Sequence, residues 1–491
     1  MPERATAMSR SKASAEAVVV GATRQRAERE GQSRDMPLGT ALHQKPGQPG
    51  RAVAGHGEAV SETASDEAGL ARRAQTDCGA GELLGQALAR ENLARAWKRV
   101  KANKGSAGVD GRTVQDTAEY LKVAWPDIRQ RLLDGTYKPE PVRRVGIPKP
   151  GGGTRELGIP TVTDRLIQQA LLQVLQPLID PTFSEHSYGF RPARSAHQAV
   201  LAAQAHVEAG HRVVVDVDLE KFFDRVNHDI LMDRLAKRLA DKRVLRLIRR
   251  YLQAGILAHG VHSVRIEGTP QGGPLSPLLA NVLLDEVDRE LERRGHRFVR
   301  YADDCNIYVR SQRAGERVLQ TLRGCYAKLT LKVNESKTAV GLAWGRKFLG
   351  YCLWSAPRGE VKRAVADQAM HKLRDRLRQL TRRVRGRSME QVAQDLQRYV
   401  PGWKAYFHLA QTPRIMRELD EWLRHRLRAL QLKQWKRGTT MYRELRRLGA
   451  SDAVARRIAA SSRRWWRNSR MALNGVLSIR YFDELGIPRF S

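Results

Sequence analysis

The sequence predicts an α+β fold followed by a helical C-terminal third, and three observations carry that expectation. Short β-branched and aromatic runs at 212–219 and 298–309 lie among longer stretches with apolar residues at helical spacing. A glycine-tipped hairpin pattern, Val142-Arg-Arg-Val-Gly-Ile-Pro-Lys-Pro-Gly-Gly-Gly-Thr-Arg-Glu-Leu-Gly-Ile-Pro160, precedes them. Beyond Ser355 the pattern reads as almost wholly helical and very basic, with Trp403, Tyr406, Phe407, Trp422, Trp435, Trp465 and Trp466 interleaved. At 491 residues the chain exceeds a single core, so two or three domains are expected.

Composition narrows the partners. Hydrophobic residues make up 41% of the chain, and no apolar stretch is long enough to span a bilayer. The Val18–Val20 patch is too short for a signal-peptide core, so no membrane association is expected. The cysteines Cys78, Cys305, Cys325 and Cys352 show no paired spacing, which argues against a disulfide scaffold or a zinc module and for reduced thiols in a cytosolic protein. The net charge is +35 and uneven: residues 1–80 hold 11 basic and 10 acidic side chains, residues 355–491 hold 32 and 12. An extended polyanion, a nucleic acid, is the natural counterpart. A membrane surface fits less well, because the basic helices lack a broad apolar face.

Taken in order, residues 1–81 carry no sustained periodicity and are expected to be disordered, or to follow a misassigned start. Residues 82–135 predict a helical module: Leu83, Leu84, Leu88, Leu93, Ala94 and Trp97 recur at helical spacing, and Tyr120 to Leu133 forms a second helical stretch. Arg95, Lys98, Arg99 and Lys101 give the first stretch a basic face suited to RNA. In the 142–160 hairpin, Lys149 and Arg155 bracket the tip, where beside a triphosphate they would clamp its oxygens. Thr163 is a candidate cap for a helix whose stripe is Leu166, Ile167, Ala170, Leu171, Val174, Leu175 and Leu178.

Tyr188-Gly-Phe-Arg-Pro192 is a turn-rich link to a helix reaching His206, and the strand 212–219 follows. Within that strand Asp216 and Asp218 share a face by the two-residue period, and a carboxylate on an apolar strand is costly to bury without a cation. One of the two is therefore expected to bind metal. Gly268-Thr-Pro-Gln-Gly-Gly-Pro-Leu-Ser-Pro277 opens a further helix; its glycines let backbone approach a ligand, with Gln271 as the polar group presented. Tyr301-Ala302-Asp303-Asp304 lies between two short strands, where adjacent carboxylates mark solvated turn chemistry or a divalent metal site. A loop bearing Lys337 and a short strand Phe348-Leu349-Gly350-Tyr351 complete the region. Asp218 and Asp303 are 85 residues apart, far in sequence but able to meet on neighbouring strands. Two-metal phosphoryl transfer needs carboxylates converging on ions about 3.5–4 Å apart.

The joint order of these motifs resembles the reverse transcriptase/maturases encoded by bacterial group II introns, over roughly residues 82–491. The likeness is most specific at Gly146–Pro160, Ser187–Pro192, Asp216–His228, Gly268–Pro277, Tyr301–Arg310 and Phe348–Tyr351. It implies a right-hand polymerase: fingers and palm with an antiparallel palm sheet over 136–355, an all-α thumb and maturase domain over 356–435, and a basic helical DNA-binding segment over 436–491. It implies Asp218, Asp303 and Asp304 as ligands of two Mg²⁺ ions, with Asp218 preferred to Asp216 because the aromatic Phe223 stands five residues after it. By the same likeness Phe223 would exclude a ribose 2′-hydroxyl, Lys149 and Arg155 would hold nucleotide phosphates, and Gln271 with Gly272 would line the nucleotide pocket. Lys337 would be the acid for pyrophosphate, and Phe348, Leu349, Gly350 and Tyr351 the primer grip. The partners so implied are group II intron RNA, target DNA, an RNA template with a DNA primer, and deoxynucleoside triphosphates, in the bacterial cytoplasm at the nucleoid. No cysteine follows Cys352, so the short class C type without a zinc-stabilised nuclease is expected. A retron- or defence-type reverse transcriptase, and a splicing cofactor with vestigial polymerase activity, are the alternatives.

Overall fold

The structure, a computed structural model, describes residues 82–148, 154–258, 261–263, 267–269, 272–383, 386–470 and 473–491. The expected disorder of 1–81 and the glycine tip of the 142–160 hairpin lie outside these residues. The described strands, in chain order, are β1 (Val142–Pro148), β2 (Thr154–Ile159), β3 (Val213–Val217), β4 (Ile256–Ala258), β5 (Val261–Ser263), β6 (Arg297–Tyr301), β7 (Asp304–Val309), β8 (Ala339–Leu342), β9 (Lys347–Phe348), β10 (Tyr351–Ser355) and β11 (Val361–Val365). Two compact units result. One contains the described residues up to Ser184, with Leu219–Glu286 and Cys325–Lys332; the other contains Glu185–Asp218, Val287–Gly324 and Val333–Ser491.

The first unit holds the sheet β2-β1-β4-β5. Strands β1 and β2 pair antiparallel from Arg143↔Ile159 to Pro148↔Thr154, as the glycine-tipped pattern predicts. The helix Val162–Ile179 buries Leu166, Ile167, Ala170, Leu171 and Leu175, while Leu178 of the expected stripe is 51% exposed and Ile179 is buried in its stead. Its cap is Thr161, not Thr163. The Thr161 hydroxyl accepts the Asp164 amide at 3.1 Å and donates to the Asp164 carboxylate at 2.7 Å, whereas Thr163 is buried within the first turn. Against this helix pack Leu93 and Trp97 from the helix Arg90–Ala102, and Leu121 and Trp125 from the helix Val114–Leu133. The latter begins earlier than its apolar spacing suggests, because Thr113 and Asp116 form a reciprocal capping box.

The second unit is built on the sheet β6-β7-β3-β8. Strand β3 is central and antiparallel to both β7 and β8. Val213, Val214, Val215 and Val217 are all buried, so both faces of β3 are covered, which explains a run of valines in place of strict alternation. A second sheet, β11-β10-β9, corrects two expectations. Residues 348–351 are not one strand: β9 ends at Phe348, Leu349 (φ 49°) and Gly350 (φ 82°) turn the chain, and Tyr351 starts β10 opposite Phe348. Positive φ at both central residues is what a two-residue hairpin with the native twist requires. Strand β11 also lies beyond Ser355, in the stretch expected to be helical, so this sheet crosses the expected 355/356 boundary. After it come the helices Asp367–Leu380, Met389–Tyr406, Pro413–Trp435 and Gly438–Arg447, whose buried leucines include Leu373, Leu377, Leu396, Leu423 and Leu427.

Candidate active site

The second unit brings the three aspartates to one end of its sheet. Strands β3 and β7 pair up to Val217 opposite Cys305, so Asp218 follows the last paired residue of β3 and Asp304 precedes its partner on β7. Asp218 is buried (3% exposed), and the loop after the helix Gln312–Lys328 holds it. The Asn334 amide donates to the Asp218 carbonyl at 2.8 Å, the Asp218 amide donates to the Thr338 hydroxyl at 3.2 Å, and Lys337 Nζ lies 3.4 Å from Asp218 Oδ2. Asp216 sits two residues back within β3, opposite Asn306. With the Asn306 amide turned to donate, its nitrogen reaches Asp216 Oδ1 at 2.8 Å.

The Asp-Asp turn is held from beneath. Tyr301 pairs with Asp304 across the hairpin, and Ala302 takes a left-handed φ of 58° while 7% exposed. The segment His186–Gly189 lies along β6: the Arg300 amide donates to the His186 carbonyl at 2.9 Å, and the Tyr188 amide donates to the Arg300 carbonyl at 2.8 Å. Gly189 meets Ala302 so closely that a Cβ there would overlap the Ala302 nitrogen, which is why this position has no side chain. Arg300 itself is 1% exposed and Asp288 is fully buried; its Nε and Nη2 contact the Asp288 carboxylate at 2.6–2.9 Å. Its Nη1 donates to the Ala302 carbonyl at 2.9 Å. Sequence reasoning missed this pair, as it missed Thr338 and Asn334. An arginine between Val299 and Tyr301 on a strand buried at Phe298 and Val299 was the available signal, since such a guanidinium needs a buried acid.

The β9–β10 turn, named above as the candidate primer grip, belongs to the same unit. Tyr406 Oη donates to the Leu349 carbonyl at 2.9 Å, and the Tyr351 hydroxyl bonds to the Tyr406 carbonyl. Tyr351 is 1% exposed, and burial pushes its phenol up to about 12. The Ala366 amide donates to the Gly350 carbonyl at 2.9 Å, so both turn carbonyls are held from outside the turn.

The remaining candidates lie in the first unit. Phe223 is half-buried in the short 3₁₀ turn Phe222–Asp224, its ring 5.0 Å from that of Phe222, and its carbonyl accepts the Thr269 amide at 2.7 Å. Gly272 has φ 138°, and a Cβ on it would lie 2.7 Å from the Gly158 carbonyl oxygen, so this turn packs backbone against backbone on β2. Arg155 stands in β2 opposite Ile147. Lys149 and Gln271 lie outside the described residues. On the helix Arg90–Ala102, Asn92, Ala96 and Val100 are buried on one face, and Arg95, Lys98, Arg99 and Lys101 are all exposed.

Three aspartate carboxylates form a hard, all-oxygen donor set of the kind that binds Mg²⁺ through one or two carboxylates plus substrate phosphates. Among the described residues no three His, Cys, Asp or Glu side chains are gathered closely enough to hold one ion between them. The side chains would therefore have to close on the ions for these three aspartates to hold them.

Residues 147–353 match the reverse transcriptase (RNA-dependent DNA polymerase) family, and residues 370–449 match the group II intron, maturase-specific domain. Protein YkfC of Escherichia coli is 33% identical over 291 residues, 51% of this chain and 76% of its own. The group II intron-encoded protein LtrA of Lactococcus lactis is 40% identical over 196 residues, 40% of this chain and 32% of its own. An uncharacterized 91 kDa protein in the cob intron of Schizosaccharomyces pombe is 34% identical over 206 residues, 42% of this chain and 25% of its own. The match therefore spans about a third of LtrA's length and a quarter of the yeast protein's. The chain belongs to the group II intron-encoded reverse transcriptase/maturases, an RNA-directed DNA polymerase family with a splicing maturase domain. Reverse transcriptases use divalent metal ions, and the maturase domain ties the family to intron RNA. Among the described residues no helix is long and apolar enough to cross a membrane.

Proposed function

We propose that this chain copies RNA into DNA from a DNA primer using deoxynucleoside triphosphates, at two Mg²⁺ ions held by Asp218, Asp303 and Asp304, and that it binds its intron RNA to promote splicing. The observation supporting the catalytic part is that Asp218 directly follows the last paired residue of β3 while Asp304 directly precedes its partner Cys305 on the Tyr301–Asp304 hairpin. When bound, the ions supply Lewis acidity toward the attacking 3′-hydroxyl and the leaving pyrophosphate. The chain's own residues do the rest. Lys337, 3.4 Å from Asp218, gives a proton or a charge to the departing pyrophosphate, and Phe223 blocks the space of a 2′-hydroxyl. Lys149, Arg155, Gln271 and Gly272 bind the nucleotide, and the turn Phe348–Tyr351 steadies the primer.

Splicing support is a binding function, because the folded intron's own RNA performs the transesterifications. Its surface is the exposed basic face Arg95, Lys98, Arg99 and Lys101 together with the C-terminal basic helices. Target DNA would engage residues 436–491, thumb and maturase functions would fall within 356–435, and intron mobility would proceed by target-primed reverse transcription at the bacterial nucleoid.

The test pairs two assays on one protein. Asp303→Ala with Asp304→Ala should abolish cDNA synthesis on an unrelated template yet still promote splicing of the cognate precursor RNA at low Mg²⁺. Reversing charges at Arg95, Lys98, Arg99 and Lys101 should impair splicing more than primer extension. A double aspartate variant that binds its intron normally but cannot splice it would overturn the maturase half.

A further inference from the structure

Phe190 occupies the turn whose glycine, Gly189, packs on Ala302 of the catalytic hairpin. Its φ is 59°, a left-handed conformation that is strained for a bulky side chain and that glycine adopts freely. The residue is 38% exposed, one of the few large apolar residues this exposed among the described residues. The ring centroid lies 6.5 Å from that of Tyr301, tilted by 42°. Burial does not account for the ring, and the backbone would be better served by glycine. A flat apolar face open to solvent, next in sequence to a glycine that touches the hairpin backbone at Ala302 and beside Tyr301, suits a planar ligand brought to Asp303 and Asp304.

We propose that Phe190 is a stacking platform for the base at the 3′ terminus of the primer, an inference that rests on the polymerase reading above. Stacking on an aromatic ring tolerates any base, because each has a π-face, which a polymerase copying arbitrary sequence requires.

The experiment uses the full chain with a primer–template and measures affinity, single-nucleotide extension and thermal midpoint. Phe190→Ala and Phe190→Gly should weaken primer–template binding on the order of 10- to 100-fold, the range base–aromatic stacking supports. Phe190→Tyr should restore it. Phe190→Gly should nevertheless melt higher than wild type, because the left-handed strain is relieved. With an abasic residue at the primer 3′ terminus, wild type and Phe190→Ala should bind alike. If Phe190→Gly binds and extends as wild type does, or if the Phe190→Ala defect persists on the abasic primer, the platform is wrong and the residue is structural. If wild type itself fails to extend the intact primer, the polymerase reading falls and the platform falls with it.

Discussion

Replacing Asp288 by Asn would remove the carboxylate charge that the buried Arg300 guanidinium is paired with, at a cost of about 3–5 kcal/mol for breaking one side of a buried pair. Because Arg300 also holds the Ala302 carbonyl, the damage should reach the hairpin as well as the core. Urea unfolding should show the loss in Asp288→Asn, and primer extension by the folded fraction should fall with it. Unchanged stability would mean that the pair does not carry the turn. Phe223 stands differently: half-buried at the edge of a short turn, it can be shortened with little loss of core. Phe223→Ala should therefore keep the thermal midpoint within a few degrees and raise ribonucleotide incorporation relative to deoxynucleotide. An unchanged discrimination ratio would remove Phe223 from the proposed gate.

At the scale of elements, the helix Val162–Ile179 is tied to its surroundings through one carboxylate. Asp164 accepts from Tyr137 Oη at 2.8 Å, Tyr251 Oη at 3.2 Å, Thr161 Oγ1 at 2.7 Å and the Glu140 amide at 3.3 Å. Burial pushes the carboxyl from 3.8 up to about 6, against the lowering effect of those bonds. The folded unit thus holds a proton across that interval that the unfolded chain has released. The contribution is fully present below about pH 4 and is lost as pH rises through about 6, amounting to about 3 kcal/mol if the whole shift is expressed. The difference in unfolding free energy between wild type and Asp164→Asn should therefore change between pH 4 and 6, wild type losing stability that the variant does not. Parallel curves over that interval would contradict it.

Elements also show what the sequence could and could not convey. The 142–160 hairpin, the valine strand and the Asp-Asp hairpin were legible because glycine tips and β-branched runs report backbone geometry directly. The Phe348–Tyr351 stretch was misread because Leu349 adopts a left-handed φ that a leucine does not announce. Strand β11 was missed because Lys362 and Arg363 made Val361–Val365 resemble the basic helices around it. The choice of Thr161 over Thr163 rests on local bonds to Asp164 three residues on, which a capping pattern could have revealed, whereas the Arg300–Asp288 pair joins a strand to a helix. Pairings of that kind have no sequence period.

For the molecule as a whole, charge is the property that extends furthest. A net of +35, with 32 basic against 12 acidic residues in 355–491, should make RNA affinity steeply dependent on salt. Neutralising about 6–10 phosphates loses on the order of 10³–10⁵ in affinity between 50 and 200 mM salt. A filter-binding titration with a shallow slope would mean that the basic helices serve something other than backbone contact.

The central claim, that the centre lies at the end of β3 against the Tyr301–Asp304 hairpin, is tested most directly by single-turnover incorporation of one deoxynucleotide onto a DNA primer on an RNA template. Asp218 lies just past the end of β3, beside the hairpin strand that carries Asp304, while Asp216 faces Asn306 within the sheet. Asp218→Asn should lower the rate by several orders of magnitude at saturating Mg²⁺, since a lost ligand leaves developing charge unneutralised. Asp216→Asn should stay within about tenfold of wild type, because it removes no metal ligand. A near-wild-type rate for Asp218→Asn, or a collapse confined to Asp216→Asn, would contradict the account.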